Sequence, residues 1–416
     1  MRTILTMVLA TVMQFQGSCD SEPQPQQEGA APDLPALVEG NTGFALALFE
    51  RLCAESPAEN LFFSPYSVSC ALGMTWAGAR GETESQMTEV LGFSLPQASL
   101  HASFAELGQK LDPEHRASRY AQDAEPLTLE VANAIWVQSS FPLLDEYVDL
   151  VEREYGAEAR NVDFRADPES QRILINDWVA GRTRDRIRDL LAPGTITTDT
   201  RVVLTNAVYF KASWMSQFDE YSTWSDEFTL PDGFVIEVPM MHQTESFPYY
   251  RGCGCTAVSL PYSDGQSSML LLLPDGEIGE LEGSLDPEDL RTIGQDLRNE
   301  RISLAVPSFE FTSSFSLKET LEGMGMTNAF DSDLADFTGF TGHRDLYISA
   351  VIHKAFVKVD ETGTEAAAAT AVVMALAAAP PPPVIEVSFD RPFLFLVMDD
   401  LTGSILFMGR VADPSI

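Results

Sequence analysis

Near the end of the chain, residues 359–383 read VDETGTEAAAATAVVMALAAAPPPP, and no ordinary helix accommodates them. Alanine has the strongest helix propensity of any residue, yet the Ala run follows Gly363 and ends in Pro380 to Pro383, which lack the N–H and clash with a continuing helix. As a strand the same stretch sorts with period two. Thr364, Ala366, Ala368, Thr370, Val372 and Met374 fall on one face, all small or apolar and none charged. Glu365, Ala367, Ala369, Ala371 and Val373 fall on the other, so the charge sits where solvent can reach it. A segment that is soluble when exposed and burial-tolerant as a strand suits a conformational switch. An Ala/Pro-rich linker would share that composition.

The flanks separate these alternatives. Residues 361–370 (ETGTEAAAAT) resemble the hinge of the reactive-centre loop of serpins. Downstream, residues 388–395 (SFDRPFLF) and 403–411 (GSILFMGRV) resemble the C-terminal strands of that family. The resemblance continues through residues 60–69 (NLFFSPYSVS), 202–214 (VVLTNAVYFKASW) and 347–359 (YISAVIHKAFVKV), and so covers nearly the whole chain after its leader. It implies an α+β fold with three β-sheets, about eight or nine helices and one exposed loop over about residues 360–385.

That resemblance also assigns residues. The hinge would comprise Glu361, Gly363, Thr364, Glu365, Ala366, Ala367, Ala368, Ala369 and Thr370. About fourteen residues beyond Gly363, a strand's worth of loop, the reactive bond falls at Ala377-Ala378, with Leu376-Ala377 and Ala378-Ala379 as register alternatives. Small residues there suit elastase-like or subtilisin-like proteases. Trypsin-like enzymes are excluded, since no Lys or Arg lies between Asp360 and Glu386. Ser64, Ser67 and Asn206 would lie in the region called the shutter, Trp214 in the breach where the loop enters the sheet, and His353 would bond Asn206. The implied function is suicide inhibition of serine proteases by loop cleavage, acyl-enzyme trapping and strand insertion. The alternative is a non-inhibitory serpin used for binding or storage. Bulky or charged hinge residues would mark that alternative, and here Thr364 and an unbroken Ala run stand instead.

Composition bounds the rest. No Gly/Ser linker or repeat interrupts residues 40–360, which favours one large body built on 45% hydrophobic residues. The formal net charge is −36, with lysine confined to Lys110, Lys211, Lys318, Lys354 and Lys358. Such a surface repels nucleic acid and anionic polysaccharide. Residues 95–111, where some serpins bind heparin, offer Lys110 and His101 against Glu106, so no heparin cofactor is expected. The expected solution state is a monomer.

Residues 1–19 have one Arg, a short apolar run and small residues before Cys19, the pattern of an export signal. Gly17-Ser18-Cys19 resembles a bacterial lipoprotein cleavage box, making Cys19 a candidate for lipidation and membrane anchoring. Residues 20–38, rich in Ser, Gln, Pro and Glu, read as a disordered tether, leaving 39–416 as the serpin domain. The location expected is extracellular or periplasmic. Cys53, Cys70, Cys253 and Cys255 permit two disulfides in an exported protein, and Cys253-Gly254-Cys255 lacks the second ligand pair a metal would need. Catalytic motifs are absent: there is no Gly-x-Ser-x-Gly elbow, no His-Glu-x-x-His helix and no phosphate loop, and the histidines are His101, His115, His242, His343 and His353. Neither catalysis nor a cofactor is expected.

Overall fold

The computed structural model describes residues 31–112, 116, 127–364 and 384–416. The first element is α1 (Leu34–Glu55), begun by Asp33, whose carboxylate accepts from the Ala36 N–H at 3.2 Å, with Pro35 in the first turn. β1 (Leu61–Phe63), α2 (Pro65–Gly78), α3 (Gly81–Leu91) and α4 (Gln97–Leu111) follow. Next come β2 (Thr128–Gln138), α5 (Asp145–Tyr155), β3 (Glu158–Val162), α6 (Pro168–Arg182) and β4 (Val202–Ser213). β5 (Thr223–Thr229), β6 (Val235–Gly252), β7 (Cys255–Pro261) and β8 (Ser267–Pro274) are succeeded by α7 (Ile278–Ser284) and α8 (Pro287–Asp296). The chain closes with β9 (Arg298–Pro307), β10 (Phe309–Ser316), α9 (Lys318–Met324), α10 (Thr338–Thr341), β11 (Ile348–Asp360), β12 (Gly363–Thr364), β13 (Ile385–Ser388), β14 (Phe393–Asp399) and β15 (Ile405–Val411).

A six-stranded sheet runs β10-β11-β12-β4-β2-β3. A nine-stranded path, β1-β15-β14-β8-β7-β6-β9-β13 with β5 on the edge of β6, contains the other two sheets, joined because the 18-residue β6 takes part in both. Ten α-helices lie among the described residues, against the eight or nine expected. The helix α2 is buried at every position, Ser64 capping it through a hydroxyl that accepts from the Ser67 N–H at 3.1 Å. Its residues explain that placement: PYSVSCALGMTWAG carries no charge and so has no face that needs water. The apolar run of β8 is likewise buried throughout, and β15 is buried with its one charge, Arg410, paired to Glu282 at 2.8 Å.

Three segments depart from the expectation. The tether anticipated over residues 20–38 is helical from Leu34, where the Asp33 cap outweighs local polarity and Leu37 packs into the core. Residues 173–190 read as one helix by periodicity, but α6 ends at Arg182. There the Thr183 hydroxyl donates to the Val179 carbonyl and accepts from the Ile187 N–H, and Arg184 and Asp185 turn to φ of 50° and 62°. Residues 302–310 (ISLAVPSFE) read as one strand by sequence, but they divide at Ser308, which donates its N–H to the Pro239 carbonyl while the chain crosses from one sheet to the other.

Candidate functional site

The central pair of the six-stranded sheet is parallel, from Ile348↔Val202 through His353↔Asn206 to Ala355↔Val208. Beyond that level the ladder between β4 and β11 stops, and the chain itself supplies the filling. After Asp360 it turns back, and Gly363 and Thr364 form β12, antiparallel to Asp360 and Val359 on one side and to Ser213 and Ala212 on the other. The first two residues of the hinge pairing are thus already a short strand between β11 and β4.

Asp360 makes the turn. Its Oδ1 accepts from the Thr362 N–H at 3.0 Å, the Thr362 hydroxyl at 2.6 Å and the Gly363 N–H at 3.3 Å. Trp214 pins it from the other side, donating its indole N–H to the Asp360 carbonyl at 2.9 Å and its backbone N–H to the Thr362 carbonyl at 3.0 Å. The Trp214 ring stacks on Tyr262 with centroids 4.8 Å apart, and the Tyr262 and Thr364 hydroxyls lie 2.8 Å apart. Burial holds the Tyr262 phenol far above its usual range, so the pair is neutral. Thr364 is 2% exposed. Glu361 is held by the Phe218 N–H on its carbonyl at 2.8 Å and the Thr223 hydroxyl on its carboxylate at 2.7 Å. Gly363 is required by proximity: a Cβ there would stand 2.1 Å from the Ala212 carbonyl oxygen.

Lower in the same strand pair is a buried network of neutral polar groups. His353 Nε2 accepts from the Ser64 N–H at 3.1 Å, which leaves the proton on Nδ1 to be donated to Asn206 Oδ1. Asn206 Nδ2 donates to the Ser67 hydroxyl at 2.5 Å and to Asn133 Oδ1 at 2.6 Å, and the Ser67 hydroxyl also donates to Asn133 Oδ1 at 2.9 Å. Ser64 donates its hydroxyl to the Leu406 carbonyl at 2.7 Å, tying the network to β15. Phe63 meets His353 edge-on and Phe315 lies parallel to its ring. Burial pushes the imidazole down to about 3, so it stays neutral.

The structure therefore brings Ser64, Ser67, Asn206 and His353 together, and sets Trp214, Glu361, Gly363 and Thr364 together at the other end of the same strands. Glu365, Ala366, Ala367, Ala368, Ala369, Thr370, Leu376, Ala377, Ala378 and Ala379 lie outside the described residues, as does Cys19. Sequence reasoning missed Asn133, Tyr262 and Asp360. For Asn133 a signal existed: it is a lone amide in the apolar run VANAIWV, directly opposite Asn206.

Elsewhere, His101 is not the surface cation its position suggested. It is buried with Nδ1 2.7 Å from the Tyr155 hydroxyl, and burial and then the Arg153 charge push it down to about 4. Lys110 pairs with Glu106 at 3.4 Å. Among the described residues the four cysteines are free thiols, with Cys53, Cys70 and Cys255 buried and Cys253 half-buried. His242 stacks under Trp224 at 3.7 Å. Among the described residues no three His, Cys, Asp or Glu side chains are grouped to hold a metal.

A family model described as Serpin (serine protease inhibitor) matches residues 39–414. An uncharacterized serpin-like protein of Thermococcus kodakarensis is 38% identical over 380 residues, covering 91% of this chain and 86% of that protein. The leukocyte elastase inhibitor of Homo sapiens is 34% identical over 391 residues, covering 92% of this chain and all of that one (100%). Among solved structures, human thyroxine-binding globulin complexed with thyroxine superposes with a TM-score of 0.81 at 29% identity, over 92% of this chain and 100% of that one. Native protease nexin-1 with heparin gives 0.80 at 29% identity, over 92% and 100%.

Proposed function

Since this chain belongs to the serpin family, we propose that it inhibits elastase-like or subtilisin-like serine proteases as a suicide substrate. The observation that carries this reading is the seat of Thr364: the hinge begins as a strand between β11 and β4, its inward side chain buried and bonded to Tyr262. From there the period-two pattern continues Ala366, Ala368, Thr370, Val372 and Met374 inward, with no charge to bury. The protease serine attacks the carbonyl carbon of Ala377. The amine of Ala378 leaves with a proton, and the Ala377 acyl group remains as an ester on the enzyme. Before water cleaves that ester, the freed loop zips into the opening between β4 and β11, a transition for which serpins are themselves the standard example.

Magnitudes support the scheme. At about 3.3 Å per residue, about fourteen inserted residues move the tethered enzyme about 45 Å. About a dozen added backbone hydrogen bonds, each worth about 1 kcal/mol net, rival the whole stability of an ordinary domain. That is enough to offset distortion of a trapped protease.

The likeness to thyroxine-binding globulin supports a second reading, a carrier whose loop traps nothing. One comparison separates the two. Mixed with an elastase-like protease, the wild type should give a covalent band that survives boiling in detergent, with a released peptide beginning at Ala378. Ala366→Arg or Ala368→Asp should be cut at the same bond yet release active enzyme, because a buried unpaired charge costs several kcal/mol and about 1.4 kcal/mol already slows insertion tenfold. Ala367→Glu, on the solvent face, should still trap. Equal trapping by all four proteins would remove the inward-facing hinge argument, and trapping by none would remove the inhibitory reading. We further propose, from the leader pattern, that the protein acts outside the cytoplasm. Detergent partitioning of wild type and Cys19→Ser tests anchoring, which is rejected if both stay in the aqueous phase.

A further inference from the structure

The segment between Lys211 and Arg251 has no Lys or Arg, and it carries Asp219, Glu220, Asp226, Glu227, Asp232, Glu237 and Glu245. Acids at that density are ordinary for this chain, but among the described residues none of these seven forms an ion pair with Lys or Arg, although Arg301 of β9 stands opposite Ser246 beside Glu245, and His242 lies 3.8 Å from Asp226. The geometry sharpens the imbalance. In the β5–β6 ribbon Glu227 stands directly opposite Glu237, a cross-strand pair of like charges that disfavours the ribbon on its own.

Large apolar side chains are exposed on the same ribbon. Tyr221 is 96% exposed and Trp224 51%, the latter held flat on His242 rather than tucked into the core. Trp224 and Asp226 fall on one face of β5 and Ser225 and Glu227 on the other, and all four are exposed, although Phe228 beyond them is buried. This ribbon is also tied to both flanks of the reactive loop. At its start the Thr223 hydroxyl and the nearby Phe218 N–H hold Glu361, and at its end the Thr229 N–H donates to the Asp390 carbonyl at 2.8 Å.

We propose that this ribbon and the turn that leads into it, through Glu220, Tyr221, Trp224, Glu227 and Glu237, form a second docking surface for the target protease, and that the target is cationic beside its active-site cleft. The inference rests on the inhibitory reading above. Continuity with the loop flanks puts the ribbon beside any enzyme engaged on that loop. Charge complementarity selects the partner's sign, and exposed aromatics supply anchors of the kind that dominate interface energies. A second copy of this chain fits poorly, because it would bring the same uncompensated acids face to face.

The test uses the full-length protein against two elastase-like proteases of the same cleavage preference, one of high and one of low isoelectric point. The readout is the second-order rate of covalent complex formation from 20 to 500 mM salt. Glu220→Lys/Glu227→Lys/Glu237→Lys should slow reaction with the cationic enzyme at least tenfold at low salt, the deficit shrinking as salt rises. Glu82→Lys/Glu89→Lys/Glu152→Lys makes the same change in net charge on exposed helix positions away from the ribbon and should slow it less than threefold. Trp224→Ala should cost about fivefold at every salt concentration. Should the lysine triple fold poorly, Glu220→Gln/Glu227→Gln/Glu237→Gln keeps the shape and should still lower the rate and flatten its salt dependence. Equal effects from the ribbon and helix triples would leave only net charge and overturn the proposal. So would a ribbon triple as fast as wild type, or wild-type dimers by light scattering that the ribbon triple abolishes. If no covalent complex forms with either enzyme, the inhibitory reading falls first and the docking surface with it.

Discussion

The two ends of the β4–β11 pair are secured by opposite means. Around His353 and Asn206 the strands hydrogen bond to each other, and a dense set of neutral side chains from α2, β2 and β4 locks them from below. Around Trp214 the strands have already parted, and what lies between them is Gly363 and Thr364, held largely through one turn and one hydroxyl pair. The comparison teaches direction. A strand entering this sheet starts where its first rung exists and advances toward a lock whose polar partners it must pass. Under the insertion proposed above, the lock would keep the uncut protein from opening, and the seated hinge would be the place where opening begins.

Breaking the lock should have the largest effect. Asn206→Leu removes the acceptor of the His353 Nδ1 proton and a donor to both Ser67 and Asn133, orphaning buried polar groups at about 1–3 kcal/mol each. The expected result is an inactivation half-life at elevated temperature shortened at least a hundredfold, read as residual inhibitory activity over time. A half-life within threefold of wild type would mean that the network does not hold the sheet shut.

Unseating the hinge comes next. Gly363→Val places a side chain against the Ala212 carbonyl, where even a Cβ would be 2.1 Å away, so β12 cannot form. Amide exchange at Thr364 should rise at least a hundredfold, and the fraction of protease trapped rather than released should fall about tenfold, with the thermal half-life changed little. Equal losses in half-life and trapping would merge the two regions into one cooperative unit and end the contrast drawn here.

Acid offers a graded probe of the lock. Burial pushes His353 down to about 3 and His101 down to about 4, so between pH 6 and 4 the unfolded chain binds two protons that the native state refuses. Asp400 acts in the other sense: burial pushes it up to about 6, so below that pH the native state carries a proton that the unfolded chain lacks. The histidine contribution is present above about pH 6.5 and is lost as pH falls toward their native values. The Asp400 contribution grows as pH falls through 6. From these three groups one net proton remains on the unfolded side, so stability should decline as pH falls from 6 to 4, on the order of 1 kcal/mol per pH unit. Denaturant midpoints across that range measure it, and His101→Gln should bring the slope near zero. A wild-type midpoint that does not move would contradict the neutral, buried state of both imidazoles.

How much of this was legible beforehand follows from where the information lies. Local pattern pointed to Gly363 and Thr364, which form β12, while the Ala run beyond them lies outside the described residues. Over residues 64–78, a serine ahead of a run without charge likewise fits a capped, buried helix, which is α2. What local pattern could not carry was pairing across the chain. Tyr262 sits in PYSDG, an ordinary turn sequence, and acquires its role only because the end of β7 meets Trp214 some fifty residues earlier and Thr364 about a hundred later. His101 misled for the same reason: on a helix of mixed polarity, nothing local says that Tyr155 of α5 covers it. The joining of two sheets through β6 was hidden because a strand of 18 residues reads as two.

The finest probe of the contrast is the hydroxyl pair itself. Tyr262→Phe removes one oxygen and leaves the ring stacked on Trp214, so the Thr364 hydroxyl loses its partner inside the seat. The cost should be about 1 kcal/mol, slowing insertion about fivefold and raising slightly the number of inhibitor molecules consumed per protease inactivated. Thr364→Val alone leaves the Tyr262 hydroxyl orphaned and should cost a similar amount. The double variant replaces both partners by apolar groups of nearly the same shape, so it should recover most of the loss rather than add the two penalties. Insertion rates from stopped-flow Trp214 fluorescence, with a parallel Asn206→Leu background, would show whether that coupling is confined to the breach. Additive single effects, or a coupling that disappears when the lock below is broken, would mean that the hydroxyl pair does not seat the hinge independently of the network around His353.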